Sequence, residues 1–285
     1  MQNMKDIKRR IESVENTQQI TRAMKMVAAA KLRNSQDRAE EVRPFFNKTR
    51  EVLADISRFS GDAQDHPLVQ KREGEKTLYI AISGDRGLCG AYNSRINKKL
   101  SLEIENKEQE KVMAVGGKVR NFARKNGYNI ISEYIDLEDY PDFDFARRIG
   151  SEVISLFRQE IVDRINLIYT YFNSAISQET RMITLLPVSL PEGYDEEKEQ
   201  VDYIYEPSPA DILDRVLPRY INNLLYSALL ESKASEFGAR MTSMDSATDN
   251  AEEMIEDLTL KYNRARQAEI TKEITEIVGG AEALK

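Results

Sequence analysis

The chain has 285 residues, 41% hydrophobic and 31% charged, which suffices for one α/β core and leaves residues for an extended element. Its net charge of −7 argues against a nucleic-acid-binding protein, which needs an electropositive face. The single cysteine, Cys89, excludes a disulfide framework and a cysteine-ligated metal site. No run approaches the ~18 apolar residues of a membrane-spanning helix, and no signal-peptide core is visible, so we expect a soluble chain in a reducing compartment.

The first predicted element is a helix over residues 1–60, which contains one proline, Pro44, and no glycine. In its first half, apolar residues recur every three or four positions, which is the spacing of a coiled-coil seam. This predicted seam consists of Met4, Ile7, Ile11, Val14, Ile20, Met24 and Val27. Residues 1–33 carry eight basic and three acidic side chains, so this end of the chain is positive.

A linker is predicted over residues 61–76, where Pro67 and Gly74 interrupt regular structure and His66 is expected at the surface. An α/β head follows over residues 77–207, in which strands alternate with helices. Its predicted strands are Thr77–Ile82, Lys111–Val115, 128–134, 166–172, 180–188 and 201–205. A short helix is expected up to Asn126 and a longer one over residues 144–164, which together predict a partly parallel, Rossmann-like sheet.

The last predicted element is a helix within residues 208–285, where residues 219–278 contain no proline and a single glycine, Gly238. At ~1.5 Å per residue this stretch would span roughly 90 Å, whereas a globule of this length is about 50 Å across. The helix therefore needs a partner outside the core. Residues 241–285 carry ten acidic and five basic side chains, which favours pairing with the positive N-terminal helix. The predicted seam here consists of Met241, Met244, Ala247, Ala251, Met254, Leu258, Tyr262, Ala265, Ile270, Ile274 and Ile277.

The glycine-rich turn over residues 84–90 invites comparison with phosphate-binding loops, because it follows a predicted strand. It has neither the G-x-G-x-x-G spacing nor a Gly-Lys-Ser/Thr ending, and Asp85 places a negative charge where a phosphate would sit. Cys89 has no histidine to activate it and is expected to be a packed residue. We therefore predict no catalytic residue, no cofactor site and no metal site. Two classes of protein remain open from these features. One is a stand-alone enzyme with a dimerisation stalk, and the other is a coiled-coil scaffold.

Four segments resemble the γ subunit family of the rotary F-type ATP synthases, in its bacterial form. They are residues 7–28, 85–93, 239–241 together with 246–250, and 270–283, and they follow the family's order along the whole chain. The pair Phe237-Gly238 departs from the family's pattern, which bears on the rigidity of the helix at that point. The resemblance implies an α/β fold in which the two terminal helices form a long antiparallel coiled coil, with the Rossmann-like head inserted between them.

The resemblance also implies a function, that of a non-catalytic rotor shaft. Such a shaft couples proton flow through the membrane ring to ATP synthesis or hydrolysis at the catalytic β subunits. The implied partners are the α and β subunits of the catalytic hexamer, the ε subunit and the c-subunit ring, with no nucleic acid. The implied location is the cytoplasmic side of the bacterial cell membrane, where the protein is peripheral.

Three sets of contact residues are implied by the same resemblance. The shaft residues that face the β subunits correspond to Met24, Lys25, Arg240, Gln267 and Thr271. The apolar tip in its bearing corresponds to Ile274, Ile277, Val278 and Leu284. The foot that meets the c ring and the ε subunit corresponds to Tyr203, Tyr205 and Glu206.

Overall fold

The computed structural model describes residues 4–59, 65–74, 76–189 and 208–283. In chain order the elements are α1 (Met4–Phe59), β1 (Thr77–Ile82), α2 (Tyr92–Glu103), β2 (Lys111–Val115), α3 (Gly117–Lys125), β3 (Asn129–Tyr134), α4 (Phe143–Arg158), β4 (Arg164–Phe172), β5 (Gln178–Leu186) and α5 (Pro209–Ala283). Both long helices continue through an internal proline, Pro44 in α1 and Pro218 in α5. No helix in these ranges combines the length and the apolar character needed to cross a membrane.

The chain divides into two compact units. The helical unit comprises Met1–Ala28 and Met241–Lys285, and the head unit comprises Ala29–Arg240. The head unit therefore contains the whole sheet and the three shorter helices, together with parts of α1 and α5. The sequence analysis instead divides the chain into four consecutive segments, with boundaries at residues 60, 76 and 207. That division stays a prediction.

The head unit is built on a five-stranded sheet with the order β3-β2-β1-β4-β5. The first four strands in this order are parallel, and β5 pairs antiparallel with β4. The strand order reverses at β1, which confirms the predicted α/β class with a Rossmann-like head. Side chains of β1 alternate between two cores: Leu78 and Ile80 pack with residues of α1, α4 and α5, whereas Tyr79 and Ala81 pack with residues of α2 and α3.

The bounds of β1 and β2 are those predicted, but two helices differ from the sequence prediction. The helix predicted over residues 144–164 is α4, which ends at Arg158 because Glu160 adopts a left-handed conformation with φ 58°. The sequence pattern does not predict α2, which contributes only three buried side chains, on one face of a mostly polar segment. The predicted strand over residues 201–205 lies outside the described residues.

The expectation that His66 lies at the surface is wrong. Its side chain is buried, its Nδ1 accepts a hydrogen bond from the Leu68 backbone N–H at 3.1 Å, and its Nε2 lies 3.1 Å from Asp214 Oδ1. Because a backbone N–H can only donate, the proton of the neutral ring is on Nε2 and points to the carboxylate. His66 thus ties the predicted linker segment to the beginning of α5.

The helical unit is an antiparallel pair formed by the first part of α1 and the last part of α5. Thr21 contacts Thr248 through their hydroxyl groups, and Lys25 forms an ion pair with Asp245. Partner numbers therefore fall along α5 as they rise along α1. The antiparallel direction implied by the family resemblance is the one that the structure has.

Candidate interaction surface

The seam of the helical unit follows one uninterrupted heptad pattern on each helix. Its fully buried members are Ile7, Thr21 and Ala28 on α1, and Met244, Thr248, Ala251 and Leu258 on α5. Half-buried residues fill the intervening positions at steps of three and four: Ile11, Val14, Gln18 and Lys25 on α1, and Ile255, Tyr262 and Ala265 on α5. The buried spacing is thus regular, as knobs-into-holes packing requires.

Six large apolar residues assigned to the seam from the sequence lie outside it. All six are exposed by 48% or more: Ile20, Val27, Met254, Ile270, Ile274 and Ile277. The apolar residues assigned from the sequence jump from Val14 to Ile20, but the heptad continues through the polar residues Gln18, Thr21 and Lys25. Continuing the three-and-four spacing from Ile7 through polar positions is the sequence signal that identifies the true seam, and it leaves Ile20 and Val27 on the flank.

Polar contacts fix the register of the pair. The hydroxyl oxygens of Thr21 and Thr248 are 2.8 Å apart, and each also lies within hydrogen-bond distance of a carbonyl in its own helix, at Gln18 and Met244 respectively. Since each hydroxyl has one proton, one threonine donates to its partner and the other donates to its own helix. A buried hydroxyl pair of this kind penalises a shifted register, because a shift would leave the hydroxyls opposite apolar groups.

The outer surface of the helical unit is rich in exposed apolar side chains. On α1 these are Ile20, Met26 and Val27, and on α5 they are Met254, Leu260, Ile270, Ile274, Ile277 and Val278. All residues from 266 to 281 are exposed, so no described part of the chain covers this last part of α5. A surface of this kind is typical of a binding site for another protein.

The predicted contact residues fall into four structural settings. Gln267, Thr271, Ile274, Ile277 and Val278 all lie on the uncovered part of α5. Met24 and Lys25 are half-buried, and the Lys25 ammonium is paired with Asp245. Arg240 lies in the head unit. Leu284 and the foot residues Tyr203, Tyr205 and Glu206 lie outside the described residues. Sequence reasoning missed the exposed flank residues Ile20, Met26 and Val27 as contact candidates.

The N-terminus of α3 is closed by the loop that follows β1. Its first three backbone N–H groups donate to Asp85 Oδ1 at 2.7 Å, to the Gly84 carbonyl at 3.1 Å and to Ser83 Oγ at 3.0 Å. The other oxygen of Asp85 accepts from the Leu137 backbone N–H at 2.7 Å. The Asp85 carboxylate therefore takes, at α3, the position that a phosphate group takes at comparable helix N-termini. The sequence analysis placed this negative charge in its own loop and did not predict the contact with α3.

A second part of this loop binds α5 through a buried ion cluster. Glu236, whose side chain is 5% exposed, accepts a hydrogen bond from Arg240 at 2.7 Å and lies 3.6 Å from the ammonium of Lys233. Arg240 also donates to the Gly87 carbonyl at 3.2 Å. Gly84 lies so close to the Glu236 carboxylate that a Cβ would come within 2.9 Å of it. Arg240 thus has partners within its own chain, in addition to the proposed subunit contact.

The same stretch of α5 is bonded to the end of β4. The Ser232 hydroxyl accepts from the Thr170 backbone N–H at 3.3 Å, and the Ser235 hydroxyl donates to the Thr170 carbonyl at 3.2 Å. At Gly238, an added Cβ would lie 3.3 Å from both Phe172 and Ala175. The glycine that departs from the family's pattern therefore permits close packing of α5 on the β4–β5 hairpin.

The loop before α4 connects the sheet to α1. Lys31 on α1 pairs with Asp139, and Asn34 donates to the Tyr140 hydroxyl at 3.1 Å. Burial alone would raise the pKa of Asp139, but the hydrogen bond and the charge of Lys31 outweigh burial and lower it. In a Rossmann-like fold, ligands bind at this carboxyl edge of the parallel strands. Here the loops of that edge are bonded to α1, α3 and α5 instead.

No group of side chains in the described ranges has the composition of a metal site. Cys89 is buried, and burial raises the pKa of its thiol, so it is a packed residue as expected. The candidate site is therefore the exposed surface of the helical unit, which has both apolar and polar side chains. In the head unit, the loops at the carboxyl ends of the parallel strands are bonded to the long helices.

Comparison with known proteins gives full-length matches. A family model described as ATP synthase matches residues 3–284. The ATP synthase gamma chain of Halothermothrix orenii is 58% identical over 287 residues, and that of Heliobacterium modesticaldum is 47% identical over 290 residues. Both alignments cover 100% of this chain and 100% of the relative.

Solved structures share the fold. A chain of the Tetrahymena thermophila mitochondrial ATP synthase central stalk and c ring is 28% identical, with a TM-score of 0.61 over 80% of this chain and 99% of the other. A chain of the Euglena gracilis mitochondrial enzyme is 20% identical, with a TM-score of 0.69 over 99% and 94%. With an antiparallel pair of terminal helices, a Rossmann-like head between them and relatives matched from end to end, the chain belongs to the ATP synthase gamma chain family.

Proposed function

We propose that the chain is the central rotor shaft of a bacterial F-type ATP synthase and is itself non-catalytic. It couples proton flow through the membrane ring to ATP synthesis or hydrolysis at the catalytic β subunits. The observation that supports this best is the uncovered part of α5, where every residue from 266 to 281 is exposed and Ile274, Ile277 and Val278 are apolar. A segment of this kind needs a surrounding partner to bury it.

The shaft acts through differential contact. Its two helices present different side chains on different sides: apolar Ile20 and Val27 on α1, and polar Gln267 and Thr271 on α5. As the shaft turns, each β subunit meets a different surface, and each surface stabilises one conformation of that subunit over the others. Rotation therefore moves every catalytic site through binding, reaction and release in turn.

The proposed partners are the α and β subunits around the shaft, and the ε subunit and the c ring at the foot. The foot contacts are Tyr203, Tyr205 and Glu206, and the bearing of the tip includes Leu284. The protein is held at the cytoplasmic face of the bacterial membrane through these partners. The proposed division into an N-terminal helix, a linker, a head and a C-terminal helix assigns the foot to the head.

Torque received by the head must reach α5 without slippage. The buried cluster of Glu236, Lys233 and Arg240 and the two serine contacts to Thr170 supply directional bonds between α5 and the loops of the sheet. Charge-assisted hydrogen bonds in a buried setting are among the strongest that a protein forms. We propose that these bonds transmit torque between the head and α5.

The test separates shaft contacts from foot contacts in the assembled complex. Gln267→Ala/Thr271→Ala should reduce ATP hydrolysis by the detached soluble complex roughly fivefold or more, through lost polar contacts worth about 1 kcal/mol each. Tyr203→Ala/Glu206→Ala should leave that soluble activity unchanged and weaken proton pumping and ATP synthesis in membrane vesicles. Arg240 is unsuitable here, because its replacement would also break the cluster with Glu236.

Subunit stoichiometry measured by mass must first establish that both variants assemble. The proposal would be contradicted if the shaft variant hydrolysed ATP at the normal rate and pumped protons normally. Equal loss of soluble activity from the foot variant would contradict the division between foot and shaft. A micromolar dissociation constant for MgATP on the isolated chain, abolished by Asp85→Asn, would favour the alternative of a stand-alone enzyme.

A further inference from the structure

The head unit contains a cavity that the rotor function does not use. It has a volume of about 570 Å³ and is lined by α1, by the end of β4 and by α5. This volume lies within the range of small-molecule sites. Three aromatic residues, Phe46, Tyr171 and Phe172, contribute to its wall.

One side chain in this cavity is unsatisfied. Glu231 Oε2 is buried and has no hydrogen-bond partner among the residues that the structure describes. A buried carboxylate oxygen without a donor is costly, because it has lost its hydrogen bonds to water and no donor replaces them. Burial accordingly raises the pKa of Glu231 to about 7.

The surroundings of Glu231 favour a cation. From α1 it is faced by Arg43 and Glu40, from β4 by Tyr169 and Tyr171, and from β5 by Arg181. Neither arginine forms an ion pair with Glu231 in the described part of the chain, and Arg181 is held by Glu179 at 2.6 Å, with its guanidinium 3.8 Å from the Tyr171 ring centre. Among the lining residues, two acids and one arginine leave a net charge of −1.

We propose that this cavity binds a small organic ammonium compound, with the ammonium group at Glu231 and the apolar body against Phe46, Tyr171 and Phe172. The ammonium donates the hydrogen bond that Glu231 Oε2 lacks. The aromatic side chains cover the apolar part of the ligand. An anion would meet Glu40 and Glu231, and a neutral apolar ligand would leave the carboxylate unpaired. This inference does not rest on the rotor assignment.

The test is calorimetric titration of the purified full chain with 2-phenylethylammonium, alongside its neutral analogue 2-phenylethanol. We expect the ammonium compound to bind at least tenfold more tightly than the alcohol. Glu231→Gln should abolish this preference, while keeping the shape of the side chain. Glu253→Gln, on the exposed face of the same helix, removes the same charge outside the cavity and should leave binding unchanged.

The pH dependence provides a second readout. Binding needs the ionised carboxylate, so affinity should rise as pH increases through the pKa of Glu231. Between about pH 6 and about pH 8 the ionised fraction rises roughly tenfold, and the association constant should rise in proportion. The ammonium group of the probe stays protonated over this range, so the change of affinity with pH reports on the protein.

Ala39→Phe fills the cavity from the α1 side and gives an independent check, should Glu231→Gln fail to fold. It should abolish binding of both compounds, while circular dichroism shows a folded protein. The proposal is overturned if the ammonium compound does not bind, if the alcohol binds equally well, or if binding survives both Glu231→Gln and Ala39→Phe. Affinity that is flat across the pH range would also overturn it.

Discussion

Gly116 shows how tightly single residues determine the carboxyl edge of the sheet. It has φ 105°, and a Cβ placed on it would lie 2.2 Å from the Ser83 carbonyl oxygen. Ser83 in turn accepts the N–H of the third residue of α3. The glycine therefore permits both the turn from β2 into α3 and the contact between two neighbouring loops.

We expect Gly116→Ala to reduce the free energy of unfolding by about 2–4 kcal/mol, from backbone strain and from displacement of the Ser83 loop. Gly87→Ala is the matched control, because no heavy atom lies within 4 Å of the added Cβ and its φ is not positive. Urea denaturation followed by circular dichroism measures both. Equal stability of the two variants would show that the contact with Ser83 does not constrain the fold.

His66 marks the limit of sequence reasoning at this scale. Its burial depends on Asp214, which is 148 residues away in the chain, and no local pattern around His66-Pro67 indicates that contact. Asp85 was predictable only in part. Its position in a glycine-rich turn after a strand suggested a carboxylate in the place of a phosphate. The helix that it caps starts 32 residues later, at Gly117, and no local pattern indicates that contact.

At the scale of elements, the helical pair combines regular spacing with polar seam positions. Thr21 and Thr248 occupy core positions where leucine or isoleucine would bury more apolar surface. Polar residues at such positions are known to specify register at some cost in stability. The pair is therefore aligned by hydroxyl groups rather than held by a thick apolar core.

A double-mutant cycle at this pair tests the alignment role. We expect Thr21→Val and Thr248→Val each to destabilise the protein by up to about 1 kcal/mol, because each leaves one hydroxyl against a methyl group. The double variant should recover most of this loss, since two valines pack well in the seam. Thr17→Val, whose exposed hydroxyl bonds only to the Ser13 carbonyl, should have almost no effect. Simple additivity of the two single changes, measured by urea denaturation, would contradict a coupled pair.

Element prediction succeeded where the hydrophobic pattern is strong and local. β1 and β2 are continuous apolar runs, and the two long helices are obvious from the spacing of their apolar residues. The pattern failed for α2, whose three buried residues stand among polar ones, and for Ile20 and Val27, whose apolar character suggested burial. Ile20 and Val27 belong to a surface that we expect another chain to cover, and apolar composition alone does not distinguish such a surface from a core.

Along α5, contacts with the rest of the chain decrease toward the C-terminus. Residues 228–230 and 232–239 are buried in the head unit. In the seam, one position in three or four is buried or half-buried, and none is buried from 266 to 281. The uncovered segment adds apolar surface without adding to the stability of the isolated chain. Its contribution belongs to the assembled complex.

Removing residues 275–285 should therefore change the free energy of unfolding of the isolated chain by less than about 0.5 kcal/mol. Removing residues 1–10 is the comparison, because it deletes the buried Ile7 and should destabilise the helical unit. Thermal unfolding followed by circular dichroism distinguishes the two truncations. Global unfolding of the C-terminal truncation would mean that the tip is part of the chain's own core.

The anion at the start of α3 belongs to the polypeptide, so its site is occupied at every metabolite concentration. A helix end held by a dissociable phosphate or nucleotide would gain stability in proportion to the logarithm of the ligand concentration and would lose it when the ligand became scarce. The Asp85 carboxylate has no such dependence. The stability of this helix end is therefore the same whether ATP is scarce or abundant in the cell. The head of the rotor does not loosen when the nucleotide that the complex makes runs low.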